Sequence, residues 1–196
     1  MTINLTLARS ELILGGQRSG KSRRAEMLAR IWLDGANDHR AVLIATAQPG
    51  DEEMGERIAR HQADRAQRVP GLHTLEEPLH LAEAITEHSG PDTLVLVDCL
   101  TLWLTNLLMP APEFEENSFL EPAWRARVAS LLIAIETAPG PVVLVGNEIG
   151  MGVIPMGAQV RAFVDALGRL NQDVAAICER VTLMAAGLPL TLKDTL

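Results

Sequence analysis

The chain predicts a three-layer α/β/α fold of the phosphate-loop nucleotide-binding class, built on a mainly parallel sheet, and three observations predict it. Short apolar runs recur along the sequence at Glu11–Leu14, Ala41–Thr46, Thr93–Val97, Val142–Val145 and Arg180–Ala185. Helical spacing fills most of the intervals between them. The runs read as strands covered on both faces, and right-handed crossovers join such strands in parallel. At 196 residues the chain suits one well-buried domain, 1–196, and is short for two.

The first strand leads directly into a glycine-rich stretch. After it, Ala25, Leu28, Ala29 and Trp32 recur at three- and four-residue steps, the period of a helix with one buried face. Beyond the second strand, Pro49-Gly50 breaks the chain, and Asp51-Glu52-Glu53 opens a predicted helix, Asp51 to Asp64, with acids suited to its dipole. The third run ends in Asp98. Between two later helices, Pro110 to Pro122 is rich in proline and glutamate and reads as a surface excursion. The fourth run hands over to a glycine-rich loop, Gly146 to Pro155, and a last short run, Leu188 to Leu192, could add an antiparallel edge.

Composition excludes several classes of function. The net charge is -8, so a general nucleic-acid or acidic-membrane surface is not expected, and anionic ligands need a local site. The apolar runs are of strand length, below the roughly 20 residues of a membrane-spanning helix. The opening MTINLTLARSE lacks the basic start and apolar core of an export signal. Cys99 and Cys178 form neither a CxxC pair nor a disulfide framework, which suits a reducing cytoplasm.

Gly15-Gly16-Gln17-Arg18-Ser19-Gly20-Lys21-Ser22 matches G-x-x-x-x-G-K-[ST] throughout. Its glycines let backbone N–H groups turn inward around phosphate oxygens, and the following helix points its positive end at the same place. Lys21 would reach the terminal phosphates, and the Ser22 hydroxyl would hold Mg²⁺. A carboxylate at the end of a neighbouring strand should share that ion. Asp98 has the required place, although a strand-terminal aspartate also serves as a helix cap.

The predicted second helix sets Arg57, His61 and Arg65 at successive four-residue steps, hence on one face. An imidazole between two guanidiniums suits a triphosphate beside a nucleophile, because the arginines neutralise charge on a departing pyrophosphate. Neutral imidazole can carry a covalent nucleotidyl group. A solvated face of mixed charge is the competing reading. His39, His73, His80 and His88 lack such company and read as structural or surface residues.

With these residues assembled, the chain resembles the bifunctional adenosylcobinamide kinase and adenosylcobinamide-phosphate guanylyltransferase family of cobalamin biosynthesis. The resemblance rests on GGQRSGKSRRAE at 15–26, IATAQPGDEEMGERIARHQADR at 44–65 and LVLVDCLTLWLTNLL at 94–108, followed by VVLVGNEIGMGVIP at 142–155 and GRLNQDVA at 168–175. It implies two reactions, with ATP or GTP and Mg²⁺. In one, the nucleotide phosphorylates adenosylcobinamide. In the other, GTP gives GMP to a histidine, which passes it to adenosylcobinamide phosphate to form adenosylcobinamide-GDP. The family histidine falls at His61, and Lys21 is carried over as the second catalytic residue.

The resemblance also implies that Ala45, Thr46 and Ala47 approach the nucleotide through backbone groups, and that Gln62, Ala63, Asp64 and Arg65 flank it. Glu76 would accept hydrogen bonds from guanine, although a solvent-exposed loop glutamate is the alternative. Asn147 and Glu148 fall at the rim without an assigned role. A cytoplasmic homotrimer is the implied state. The competing reading is a phosphate-loop kinase or ATPase acting on another small molecule, with no covalent histidine intermediate.

Overall fold

The computed structural model describes residues 7–48, 64–65, 67–109, 121–153 and 156–195, the side chains of 121 and 122 apart. Strands β1 (Ser10–Gly15), β2 (Arg40–Ala45), β3 (Leu72–Glu76), β4 (Thr93–Asp98), β5 (Val142–Asn147), β6 (Arg180–Ala185) and β7 (Leu188–Asp194) form one sheet in the order β3-β2-β4-β5-β1-β6-β7. Every pairing is parallel except β6 with β7. Helices α1 (Lys21–Gly35), α2 (Leu81–His88), α3 (Leu100–Leu108), α4 (Glu121–Thr137) and α5 (Ala158–Ile177) cover it.

The direction of each crossover assigns the helices to faces. From β1 to β2 the chain moves one way across the sheet, whereas β3 to β4, β4 to β5 and β5 to β6 all move the other way. Right-handed connections therefore put α1 on one face and α2 to α5 on the opposite one. Alternate side chains along each strand serve the two layers. Ile13, Leu43, Leu96 and Val145 pack with Ala25, Leu28 and Ala29 of α1. Their sequence neighbours Leu12, Ile44, Val97 and Leu144 pack with Leu81, Leu100, Trp103, Leu131 and Leu170.

Several boundaries differ from the sequence expectations. The Arg180–Ala185 strand stands as expected, and the final run is an antiparallel edge, extended to Asp194. Strand β3 was not anticipated: in Leu72-His73-Thr74-Leu75-Glu76 three of the five residues are polar, and at the sheet edge its two leucines serve opposite layers, Leu72 on the α1 side and Leu75 on the other. Glu76 is therefore the last residue of a strand and not part of a loop. Thr46 lies just beyond β2, while Asp98 belongs to β4 and Gly146 and Asn147 to β5. The predicted excursion loses Glu121 and Pro122 to the first turn of α4, where proline's missing N–H costs no helical bond. Residues 110–120, the Pro49-Gly50 break and the predicted helix up to 63 lie outside the described residues; Asp64 and Arg65 are helical.

Candidate active site

Parallel alignment brings the carboxyl ends of the strands to one edge, where open α/β sheets bind their ligands. In register, Glu76 of β3 faces Ala45 of β2, and Ala45 faces Asp98 of β4. On the other side, Gly15 of β1 stands between Asn147 of β5 and Met184 of β6. The predicted phosphate loop leaves β1 into this edge.

Its conformation explains its glycines at two positions. A Cβ on Gly15, at φ +154°, would lie 2.5 Å from the Met184 carbonyl oxygen and 2.6 Å from the Ser19 hydroxyl. Gly20 caps α1 at φ 100°, in the left-handed region, with no side chain closing the helix end. The first N–H groups of α1 therefore remain available to an anion. The β6–β7 hairpin braces the loop, as Gly187 N–H donates to the Ser19 carbonyl at 3.0 Å. Lys21 Nζ donates to the Gly16 carbonyl at 2.7 Å, so the ammonium lies folded across the loop. Burial holds its pKa below the ordinary lysine range, against the attraction of Asp98. The Ser19 hydroxyl is buried with no hydrogen-bond partner among the described residues. That pattern suits a phosphate oxygen, which would take up the orphaned hydroxyl and draw Lys21 off the loop.

Ser22, at the start of α1, lies beside Asp98 at the end of β4, where its hydroxyl draws the Asp98 pKa down. Burial raises the Asp98 pKa, and the Ser22 hydroxyl, Arg65 and Lys21 oppose that shift. Two hard oxygen donors side by side fit Mg²⁺, which takes one or two protein ligands and leaves the rest to phosphates and water. Arg65 also points here. Its Nε lies 3.5 Å from Glu26 of α1, while Arg68 grips the same carboxylate at 2.8 and 3.0 Å. Two guanidiniums thus dock the segment before β3 onto the phosphate-loop helix. Asp64 is exposed. His61, Gln62 and Ala63 lie outside the described residues.

The remaining expected residues divide into those facing the edge and one turned inward. Ala45 and Ala47 are half-buried, and Glu76 is exposed at the end of β3, two strand spacings or roughly 10 Å from the Asp98 backbone. Thr46 is wholly buried, its N–H donates to the Asp98 carbonyl at 3.2 Å, and its carbonyl accepts from Asn106 Nδ2 at 2.8 Å. These bonds tie Thr46 into the fold between β4 and α3. Asn147 is held through its backbone by Thr101 and Asn171, and Glu148 N–H donates to the Gly15 carbonyl at 3.1 Å. The rim after β5 is thereby tied to the start of the phosphate loop.

Glu26, Asn106 and Thr101 were not singled out from the sequence. Glu26 stood inside the quoted phosphate-loop segment without a role, and the other two sit in an apolar helical run that carries no catalytic pattern. A separate cleft of about 550 Å³ opens between the loop after β5 and α5, lined by Ile149, Val153, Arg161, Asp165, Arg169 and Gln172. None of the phosphate-loop residues lines it.

The family model described as cobinamide kinase / cobinamide phosphate guanyltransferase matches residues 11–192. The bifunctional adenosylcobalamin biosynthesis protein CobP of Pseudomonas aeruginosa is 48% identical over 184 residues, covering 93% of this chain and 96% of that protein. The bifunctional adenosylcobalamin biosynthesis proteins CobU of Escherichia coli and Salmonella typhimurium are 37% and 36% identical, each over 187 residues, 93% of this chain and 98% of theirs.

Proposed function

The chain belongs to the cobinamide kinase / cobinamide phosphate guanyltransferase family, and from that premise we propose that it performs both transfers on adenosylcobinamide at the sheet edge described above. In the kinase step, the hydroxyl of the aminopropanol arm forms a bond to the γ-phosphorus of ATP or GTP. The bond from that phosphorus to the β-phosphate bridge breaks, the nucleoside diphosphate leaves with the electron pair, and the hydroxyl proton is released to water. In the transferase step, the His61 imidazole attacks the α-phosphorus of GTP and pyrophosphate departs. A phosphate oxygen of adenosylcobinamide phosphate then displaces the imidazole, giving adenosylcobinamide-GDP.

What supports this reading most is one conjunction: an orphaned buried Ser19 hydroxyl, a buried Lys21 and the neighbouring Ser22 and Asp98 at one end of the sheet. Ser19 and the first N–H groups of α1 would bind phosphate oxygens. Lys21 would exchange its Gly16 carbonyl for the terminal phosphates, where charge develops. Ser22 and Asp98 would hold Mg²⁺, whose charge offsets that of the phosphates. Glu76 would accept from the guanine ring N–H and amino group, a donor pair that adenine does not present. The reading carries with it a cytoplasmic homotrimer, for which light scattering should return three times the 21.2 kDa chain mass. Among the described residues no helix is long and apolar enough to cross a membrane.

The test uses GTP labelled at the α-phosphate, with Mg²⁺ and no corrinoid, and follows label on the denatured protein. Acid-labile, alkali-stable label from the α position alone, absent in His61→Ala, is the expected result. If γ-phosphate turns over on adenosylcobinamide and no label ever reaches the protein, the transferase half is lost and a kinase without a covalent histidine is left.

A further inference from the structure

Thr46 makes an unusual set of bonds for a residue just beyond a strand. Its hydroxyl donates to the Cys99 carbonyl at 2.7 Å and accepts from the Cys99 N–H at 2.9 Å, a clasp between residues 53 apart in the chain. Its own N–H reaches back to the Asp98 carbonyl at 3.2 Å. The backbone on both sides of the Asp98–Cys99 linkage is therefore fixed by one side chain and its amide. The residue is fully buried, its hydroxyl proton is spent on Cys99, and its carbonyl is held by Asn106. No donor of Thr46 is left for a ligand.

The clasp sits where the direction of the Asp98 side chain is decided. Strand β4 ends at Asp98 and α3 starts at Leu100, with Cys99 as its cap and no side-chain bond of its own closing that helix end. In place of a local cap, a hydroxyl from the neighbouring strand terminus holds the turn. A strand end left free at this point could rotate the carboxylate away from Ser22. We propose that Thr46 is a positioning residue for Asp98, its hydroxyl clasp on Cys99 keeping the carboxylate against Ser22 where the two can share a divalent cation. This rests on the reading that Asp98 holds Mg²⁺.

Thr46→Val keeps nearly the same shape and removes both hydroxyl bonds, leaving a buried N–H of Cys99 without its acceptor. Thr46→Ser keeps them. The experiment is calorimetric titration of the full chain with GDP, once in MgCl₂ and once in EDTA, after a melt has shown each variant folded. The gain in affinity that Mg²⁺ confers should fall about tenfold in Thr46→Val, the scale of losing buried hydrogen bonds, and return in Thr46→Ser. Affinity in EDTA should stay unchanged. On an Asp98→Asn background, Thr46→Val should cause no further loss, because both act through one carboxylate.

An equal loss in EDTA would overturn the proposal by showing that Thr46 serves the nucleotide itself. So would an unchanged Mg²⁺ gain in Thr46→Val, or additive losses with Asp98→Asn. A wild-type protein whose GDP affinity ignores Mg²⁺ would remove the cation reading at Asp98 and this assignment with it, a result distinct from the others. Should Thr46→Val fail to fold, Thr46→Ala carries the same comparison with less crowding between the strands.

Discussion

Asp98 is held in surroundings that disfavour its own charge. Burial dominates and raises its pKa, while the Ser22 hydroxyl and the nearby Arg65 and Lys21 only partly offset it. The folded chain therefore binds this proton more tightly than the unfolded chain does. Stability is fully present below the ordinary carboxylate pKa of 3.8 and declines as pH rises through the raised value of the folded state. At neutral pH the ionised carboxylate counts against the nucleotide-free fold. Asp98→Asn keeps the shape and removes the charge, so it should raise the Tm of the nucleotide-free protein, each 1 kcal/mol of relief being worth about 2–4 °C at this size. The same variant should lose the Mg²⁺-dependent part of nucleotide affinity. A melt at neutral pH decides: a variant less stable than wild type would mean that attraction from Lys21 and Arg65, and not desolvation, governs the site.

Helix α1 must be fixed as an element, because its first turn carries Lys21 and Ser22. Glu11, fully buried on β1, supplies the anchor. Arg24 places Nε and Nη2 on its Oε1 at 2.9 and 2.8 Å, and the Thr182 hydroxyl of β6 donates to the same oxygen at 2.8 Å. The phosphate-loop helix and two strands thus share one carboxylate. Glu11→Ala would strand the Arg24 guanidinium in the core and should cost about 3–5 kcal/mol, whereas replacing both Glu11 and Arg24 by leucine should cost less, since no unpaired charge is left behind. Urea midpoints at constant m would measure both. Elements of this kind differ in how far sequence reveals them. Central strands such as β4 and β5 stand out because both faces are apolar, and β6 coincides with its apolar run. Strand β3 escaped because, at the sheet edge, Leu72 and Leu75 alone are apolar, one on each face, so neither an apolar run nor a period-two pattern marks it. The Glu11–Arg24 pair escaped as well, since nothing in a sequence says that a charged residue at a strand start points inward.

At the scale of the whole molecule, the candidate site was legible where residues lie at strand ends next to a glycine pattern, as Gly15 to Ser22 and Asp98 do. It was not legible where distant chain segments bond to each other, as Thr46 and Cys99 do, or where Glu26 gathers Arg65 and Arg68. The single domain expected over 1–196 is a statement about cooperativity, and the two cysteines are placed to test it. Cys99 packs in the layer under α1, and Cys178 in the layer on the opposite face of the sheet. Burial pushes their thiols up, Cys99 to about 11 and Cys178 to about 12. Near pH 8 neither is a thiolate in the folded chain, so alkylation must pass through opening of its layer. If the two layers unfold together, a slow alkylating reagent should report the same opening free energy at both cysteines. The rates would be referred to the unfolded chain, and their urea dependence should also agree. Faster reaction at Cys99 alone would mean that the face carrying the phosphate loop opens by itself, and one cooperative unit would be the wrong description. The same shifts fix the alkaline limit: the unfolded chain ionises first, near 9, so stability should fall as pH rises from there towards the folded value of about 11 at Cys99.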